Sequence, residues 1–542
     1  MQVIPQPLVV SKNLTYWLAR LPSGVVRIGV FLLLAGLFTV NVFDATIGSR
    51  LVGSSYDTLI KQRFIAPPID PDIVILDIDE PSLSKMAPTF GRWPWPRDTL
   101  ASVLDYLEAN GAQAVVFDIL FADNDVLSPV ADKAFSESVA RSNTSFFPVL
   151  RLASELDVSS AVRADMLPGF AVNVSAGAQA PTIAVIPPVF SAIVATQRLG
   201  FHNIYPDDDG VNRHYRLWDD VSDSWRLLSL PARLAEAFNW PLPAAADQLL
   251  QLPLTASAYP TVSFVEVWQA SQSREKALLG EKLRGKIVVI GSSAPSLFDV
   301  KVTPLSSIQP GVHLLANAID NVKNQRFLLT LDKEPHWILG MLLLVGMLYA
   351  SMRLPMTVMR WGILVAPTAL IGISYLSLNV GSVFIDLTGA ASRAFVFFSL
   401  MTFYGILRVQ YFGTVRESSR PFSVCTTVVL VSAPTPINLN ALIDKICVFS
   451  RHFTVLQASW AAGTGAASGG PVCLFLFDNF EYDEARVRAA LQLDGATASI
   501  AGVSHRRLDA GAFEFLRQNL GQSAWGAFGE TLVMKDRTEN EK

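Results

Sequence analysis

Three carboxylates pose the first chemical question. Asp77 and Asp79 close the β-rich stretch Ile73-Val-Ile-Leu-Asp-Ile-Asp79, and Asp118 closes Ala114-Val-Val-Phe-Asp118. Acids near strand ends lie where open α/β sheets commonly bind ligands, so a metal or a cationic ligand is one reading. Their spacing is diagnostic of no metal, and capping with turn hydrogen bonds is the plainer reading. Between them runs Trp93-Pro-Trp-Pro-Arg97. Its tryptophans could wall a ligand pocket, whereas prolines interleaved with tryptophans just before a helix ordinarily set the chain's approach angle and roof a core. Asp77, Asp79, Trp93, Trp95, Arg97 and Asp118 are therefore the candidates for a ligand-sensing surface. No catalytic residue, metal ligand or cofactor site is assigned.

Other motifs carry weaker chemistry. Asp207-Asp-Asp-Gly210 has the look of part of a calcium loop but lacks the spaced acids and terminal glutamate of an EF-hand, so a turn is expected. Gly291-Ser-Ser293 after a strand could meet a phosphate with its N–H groups; without GxGxxG or a following lysine it reads as a tight turn. Gly463-Thr-Gly-Ala-Ala-Ser-Gly-Gly470 also lacks that lysine and reads as a loop. Asp478, after an apolar strand, resembles a cyclase's metal carboxylate but has no second acid in register, and His452 and His505 are lone histidines.

The elements that hold these residues divide the chain. Hydrophobic residues make up 51% and charged residues 17%, so some apolar surface must face something other than water, and lipid is the obvious candidate. A net charge of -4 and the lack of a basic stripe argue against nucleic acid as a partner. Residues 25–43 approach the roughly 20 residues a bilayer core requires and read as an uncleaved anchor. Further spans are expected at 337–352, 362–378 and 394–407, the middle one containing Pro367. Basic residues are retained on the cytoplasmic side. Lys12, Arg20 and Arg27, then Arg353 and Arg360, then Arg408, Arg416 and Arg420 thus place residues 1–24 and the tail inside, and the long segment after the first span outside. Cys425, Cys447 and Cys473 all fall in the tail, which agrees.

The outer segment reads as α/β. Strands are expected at Ile73–Asp79, Ala114–Asp118 and Phe146–Leu150; between the first two, Asp98 can cap a helix with an apolar face of Leu100, Val103, Leu104 and Leu107, and Gly111 can close it. Strand, helix, strand points to a parallel pair. A second such passage runs from Lys286–Gly291 through Pro310-Gly311 into a helix over Val312–Val322, and residues 155–285 are less regular. In the tail, strands at Thr426–Ser432, Val472–Asp478 and Thr497–Gly502, with helices at Ala441–Phe453, Ala485–Leu493 and Phe513–Leu520, point to a small α/β cytoplasmic domain over 421–542.

Several of these stretches, in this order, resemble the landmarks of CHASE2 sensors: Ile78-Asp-Glu-Pro-Ser-Leu83, Trp93-Pro-Trp-Pro-Arg97, Phe117-Asp-Ile-Leu-Phe121, Asp207-Asp-Asp-Gly-Val211 with Arg213, Gly285-Lys-Ile-Val-Val-Ile-Gly291, Thr303-Pro304 and Pro310-Gly-Val312. Leu315 stands where the family often has a histidine, and His313 lies two residues earlier. The resemblance covers 45–325 and implies an extracytoplasmic sensor held in a bacterial inner membrane by one span before it and three after. Such sensors commonly feed histidine-kinase, nucleotide-cyclase or diguanylate-cyclase outputs. The tail has no Gly-Gly-Asp/Glu-Glu-Phe run and no kinase glycine boxes, and it is too short for a dimerisation helix pair plus an ATP-binding domain. The expectation is a receptor without recognised catalytic chemistry, with an unknown extracytoplasmic ligand, membrane lipid, a cytoplasmic protein partner and a second copy in a homodimer as its partners. A divergent nucleotide cyclase and a non-signalling envelope scaffold are the alternatives.

Overall fold

The computed structural model describes residues 18, 21–43, 45–66, 68–175, 179–273, 277–354, 356–380 and 383–412, with four tail strands at 427–432, 453–457, 472–476 and 497–502. Two compact units share the chain: residues 44–333 with 371–389, and residues 1–43, 334–370 and 390–542.

Along the chain, α1 (Ser23–Phe43) and α2 (Ala45–Lys61) lead to β1 (Ile73–Asp77), α3 (Glu80–Phe90), α4 (Asp98–Ala109), β2 (Ala114–Phe117), α5 (Pro129–Arg141) and β3 (Ser145–Arg151). Short strands β4 (Val185–Ile186) and β5 (Leu199–Phe201) follow, then α6 (Leu230–Phe238), β6 (Thr261–Ser263), α7 (Phe264–Ser271), β7 (Ile287–Gly291) and α8 (Gly311–Lys323). One seven-stranded sheet results, in the order β6-β1-β7-β2-β3, with β4 and β5 both pairing β3. All its pairs are parallel except β3 with β4.

The expected parallel orientation of β1 and β2 holds, but they are not neighbours. β7 lies between them, Ile287 standing opposite both Ile73 and Ala114. Local sequence gives a crossover's direction, whereas β7 arrives from some 170 residues downstream of β2, beyond the reach of any local pattern. Buried on both faces, β1, β2 and β7 are near-continuous aliphatic runs, as central parallel strands must be. Side chains alternate between two cores. Val74 and Leu76 pack with Leu104 and Leu107 of α4 and Phe135 of α5; Ile73 and Ile75 pack with Leu234 of α6 and Leu314, Leu315 and Ile319 of α8.

Helix α4 departs from expectation at its start. Asp98 is its first residue rather than its cap; Arg97 takes that position, with no capping side-chain bond. The Pro96 carbonyl already accepts from the Thr99 N–H (3.1 Å) and hydroxyl (2.8 Å), so helical turns begin one residue early. Gly111 closes the helix with φ +78°, as expected.

In the second unit, α9 (Lys333–Arg353), the first part of α10 (Met356–Val380) and most of α11 (Thr388–Phe412) join α1, while residues 371–380 of α10 belong to the first unit. Four helices are long and apolar enough to cross a membrane: Ser23–Phe43, Lys333–Arg353, Val358–Val380 and Thr388–Leu407. The later three exceed the expected spans because polar end residues continue each helix. Arg393 lies inside α11 with its guanidinium 4.1 Å from the Phe38 ring centroid. A Cβ at Gly340 would fall 2.1 Å from Phe38 Cζ, so glycine permits the close crossing of α1 and α9.

The four tail strands form one sheet, with 453–457 beside 472–476, then 427–432, then 497–502, every neighbour antiparallel. The strand at Phe453–Gln457 was not expected, and the expected tail helices lie outside the described residues apart from Phe453 itself.

Candidate functional site: the carboxyl edge of the sensor sheet

Asp77 ends β1 with only 5% exposure. Its carboxylate accepts from the Ser293 N–H at 2.7 Å and from the Ser293 hydroxyl. Burial pushes its pKa up; Ser293 opposes that rise, and the charge on Asp79 adds to it. Gly291 is the last residue of β7 and Ser292 and Ser293 continue it without the expected tight turn; the segment laces β7 to β1: the Ile78 N–H donates to Gly291 O and the Ser292 hydroxyl to Ile78 O, both at 2.8 Å. Asp79 caps α3, accepting from the Ser82 N–H (2.8 Å), and also takes the Ser263 hydroxyl (2.9 Å) from the end of β6.

Asp118 follows β2, and one oxygen lies 3.1 Å from His202 Nδ1. A Cβ at Gly291 would stand 2.7 Å from Val312 Cγ2 and 3.2 Å from Asp118 Cβ, so this glycine lets the first turn of α8 press against the strand ends. The hydroxyl of buried Tyr215 has no partner, and burial, followed by the charge on Asp118, pushes its pKa well up. The edge therefore brings Asp77 and Asp79 to the end of β1 and Asp118 to the end of β2, with Gly291 at the end of β7 between them. Among the described residues, no group of His, Cys, Asp or Glu is arranged to hold a metal ion.

The Trp-Pro-Trp-Pro-Arg segment has different surroundings. Trp95, 3% exposed, lies 5.4 Å from the Phe264 ring and meets Trp93 edge-on at 4.9 Å, as part of the core over α4. Arg97 pairs with Asp132 at 2.6 Å and lies over Phe190 at 5.1 Å. The structure thus joins Arg97 to α5 and not to the three aspartates.

From this edge α8 carries a buried polar face to the opposite end of the sheet. Asp320 accepts from the Asp70 N–H (3.0 Å), the Tyr259 hydroxyl (2.9 Å) and Arg326 (3.2 Å). Asn321 accepts from the Gln251 N–H (2.8 Å), and Asn317 donates to Gln251 O (3.2 Å). Burial raises the Asp70 carboxyl, but Asn324 and Lys323 outweigh it and hold the pKa below the usual range. His313, on the first turn of α8, is buried, and burial lowers its pKa, which keeps it neutral.

A third cluster fastens α2. Arg213, its side chain 4% exposed, makes bidentate contact with Asp57 of α2 (2.7 and 2.8 Å) and bonds Asp207 (2.9 Å) and Asp209 (2.9 and 2.7 Å). Asp207-Asp-Asp-Gly210 is a turn, as expected, and its acids hold an arginine. Burial raises the Asp207 carboxyl, but His214 and Arg213 outweigh it and hold the pKa low. Sequence reading named Arg213 within a landmark without a partner and Ser293 within an expected turn without its bond to Asp77, and it missed Asp57 and His202. No local pattern gives these pairings, because each residue finds its partner 84 to 216 positions away.

A family model described as the CHASE2 domain matches residues 29–350. No curated protein and no solved structure matches the chain.

Proposed function

The chain belongs to the CHASE2 domain family, a sensor family usually found in signalling receptors, and from that premise we propose that it is a bacterial inner-membrane receptor. The domain senses an extracytoplasmic ligand at the carboxyl edge around Asp77, Asp79 and Asp118. The spans carry the resulting shift to the cytoplasmic module, which recruits a protein partner. One observation carries this reading. Helix α8 starts against Gly291 at the ligand edge, and its far end holds Asp70 and Arg326, on the segments leading in from α2 and out to α9. A ligand that favours one position of the first turn of α8 therefore biases both connections, which is the differential interaction that transmission requires.

The tail supports a second reading. Its strand order, second-third-first-fourth with every neighbour antiparallel, is that of the split βαβ layout, which hosts enzymes as well as binding modules. A divergent nucleotide cyclase is therefore the alternative output. Calorimetry of the full-length protein with ATP and GTP in magnesium separates them: saturable binding with turnover supports the cyclase, and no heat supports recruitment.

Orientation is tested on the unmodified chain, whose three cysteines all lie in the tail. A membrane-impermeant maleimide should label inside-out vesicles and spare right-side-out ones; the reverse pattern would sink the receptor topology. Hydrogen exchange on the reconstituted protein, screened with amino acids, nucleosides, sugars and dicarboxylates, should find a compound that protects residues 118–130 and also alters exchange at 62–72. Protection at the edge alone would refute transmission.

A further inference from the structure

The segment joining α2 to β1 departs from the plan of a sensor tethered above its membrane. Phe64 is 62% exposed and Ile65 48%, an apolar pair opened to the surroundings immediately after buried Arg63. They are nevertheless fixed in place. Both of their N–H groups donate to Asn379 Oδ1, at 3.1 and 3.2 Å, and Gln62 O accepts from the Tyr375 hydroxyl at 2.6 Å. The Phe64 ring lies 5.9 Å from that of Tyr375. Tyr375 and Asn379 belong to the last turns of α10, one of the four candidate spans.

Depth follows from helix geometry. Tyr375 lies five residues before the end of α10, about 7.5 Å along the axis at the α-helical rise. Asn379, which takes the Phe64 N–H, lies one residue before that end, about 1.5 Å, so Phe64 is held beside the last turns of α10, within the roughly 10 Å over which amphipathic segments bury aromatic and aliphatic side chains at the headgroup boundary. The surface continues beyond the end of α10. Leu329, 59% exposed, pairs in parallel with Val383 just past that helix, and exposed Leu331 follows the pair of Thr330 with Phe384. Exposed apolar side chains from three separate stretches thus lie at or next to the C-terminal end of α10.

We propose that Phe64, Ile65, Leu329, Leu331 and Val383 form a lipid-binding surface that inserts into the bilayer leaflet on the sensor side. Its occupant is the glycerol and upper acyl region of phospholipid. Continuity with the apolar surface of α10 selects lipid over a second copy of the chain, because Phe64 is pinned against a helix whose flanks already face acyl chains. The sensor is then referenced to the membrane by a wedge as well as by its covalent connections, and lipid packing becomes an input to the segment between α2 and β1. This inference rests on α10 crossing a membrane and goes beyond the ligand reading.

The test uses full-length protein with Cys425, Cys447 and Cys473 replaced by serine. Phe64→Cys is labelled with an environment-sensitive nitrobenzoxadiazole probe and reconstituted in phosphatidylcholine–phosphatidylglycerol vesicles. Lipids brominated high on the acyl chain should quench its emission clearly more than that of the aqueous reference, as for an interfacial site, and iodide should quench it weakly. Leu364→Cys, on the exposed face of α10, serves as the in-membrane reference, and Leu127→Cys, itself 93% exposed in the segment after β2, as the aqueous one. A Phe64 probe that behaves like the Leu127 probe while Leu364 is quenched by bromine overturns the proposal alone. An unquenched Leu364 probe overturns the membrane reading with it. Self-quenching of the Phe64 label that disappears on dilution with unlabelled protein, without bromine quenching, assigns the surface to a second copy instead.

Discussion

Replacing Arg213 by methionine tests whether its carboxylate cluster fastens α2 to the sensor. The substitution keeps most of the apolar stem and removes five charge-assisted hydrogen bonds to Asp57, Asp207 and Asp209. Removing one partner of a buried ion pair costs about 3–5 kcal/mol, because the remaining charge is left uncompensated. Here the carboxylates are 19–25% exposed, so water takes up part of that load, and the lower end, about 3 kcal/mol, applies. At roughly 2 °C per kcal/mol for a large domain, the melting temperature of the reconstituted protein should fall by about 6 °C. Differential scanning fluorimetry measures it. Hydrogen exchange should place the loosening in α2 and the 207–213 turn, with β1, β2 and β7 still protected. Asp57→Asn should cost less, about 1.5–3 kcal/mol for charged hydrogen bonds, and the double variant should cost less than the sum because the residues share one network. A melting point within about 1 °C of the parent for Arg213→Met, or strict additivity with Asp57→Asn, would refute the reasoning.

Further predictions follow from the same geometry. Arg213 and His214 hold the Asp207 carboxyl low, so its folded pKa lies below its unfolded value. The cluster's stabilisation is therefore present above about pH 4 and is lost as the pH falls through the folded value; an acid melt of the parent should drop more steeply below about pH 4 than that of Arg213→Met. Gly291→Ala drives a methyl group into Val312 and should destabilise by about 1–3 kcal/mol, read as a lower denaturation midpoint with an unchanged slope. Asn379→Ala leaves the Phe64 and Ile65 N–H groups without their acceptor, and exchange at those two amides should accelerate by about tenfold or more, for a loss of about 1–3 kcal/mol, while the sheet stays protected.

Much of the architecture was legible in the residues. Apolar runs of sufficient length marked the four helices long and apolar enough to cross a membrane, because a bilayer fixes the length of a helix that crosses it. Aliphatic stretches bounded by turn residues revealed β1, β2 and β7, and Gly111 marked a helix end because a left-handed residue is least strained as glycine. The family landmarks were visible as a set because most lie on these same strand ends and turns. The cap of α4 was misplaced by one residue, since the choice between Asp98 and Arg97 depended on how Thr99 used the Pro96 carbonyl.

The sequence by itself thus located β1, β2, β7, α4, α8 and the four apolar helices, because burial period and length act locally along the chain. Only the tertiary structure decided that β7 separates β1 from β2, that Ser293 holds Asp77, that Asp57 meets Arg213, and that Asn379 pins Phe64 beside a span. Each of these contacts joins residues more than 150 positions apart, where pairing is chosen by which buried polar groups can satisfy one another once the sheet has closed.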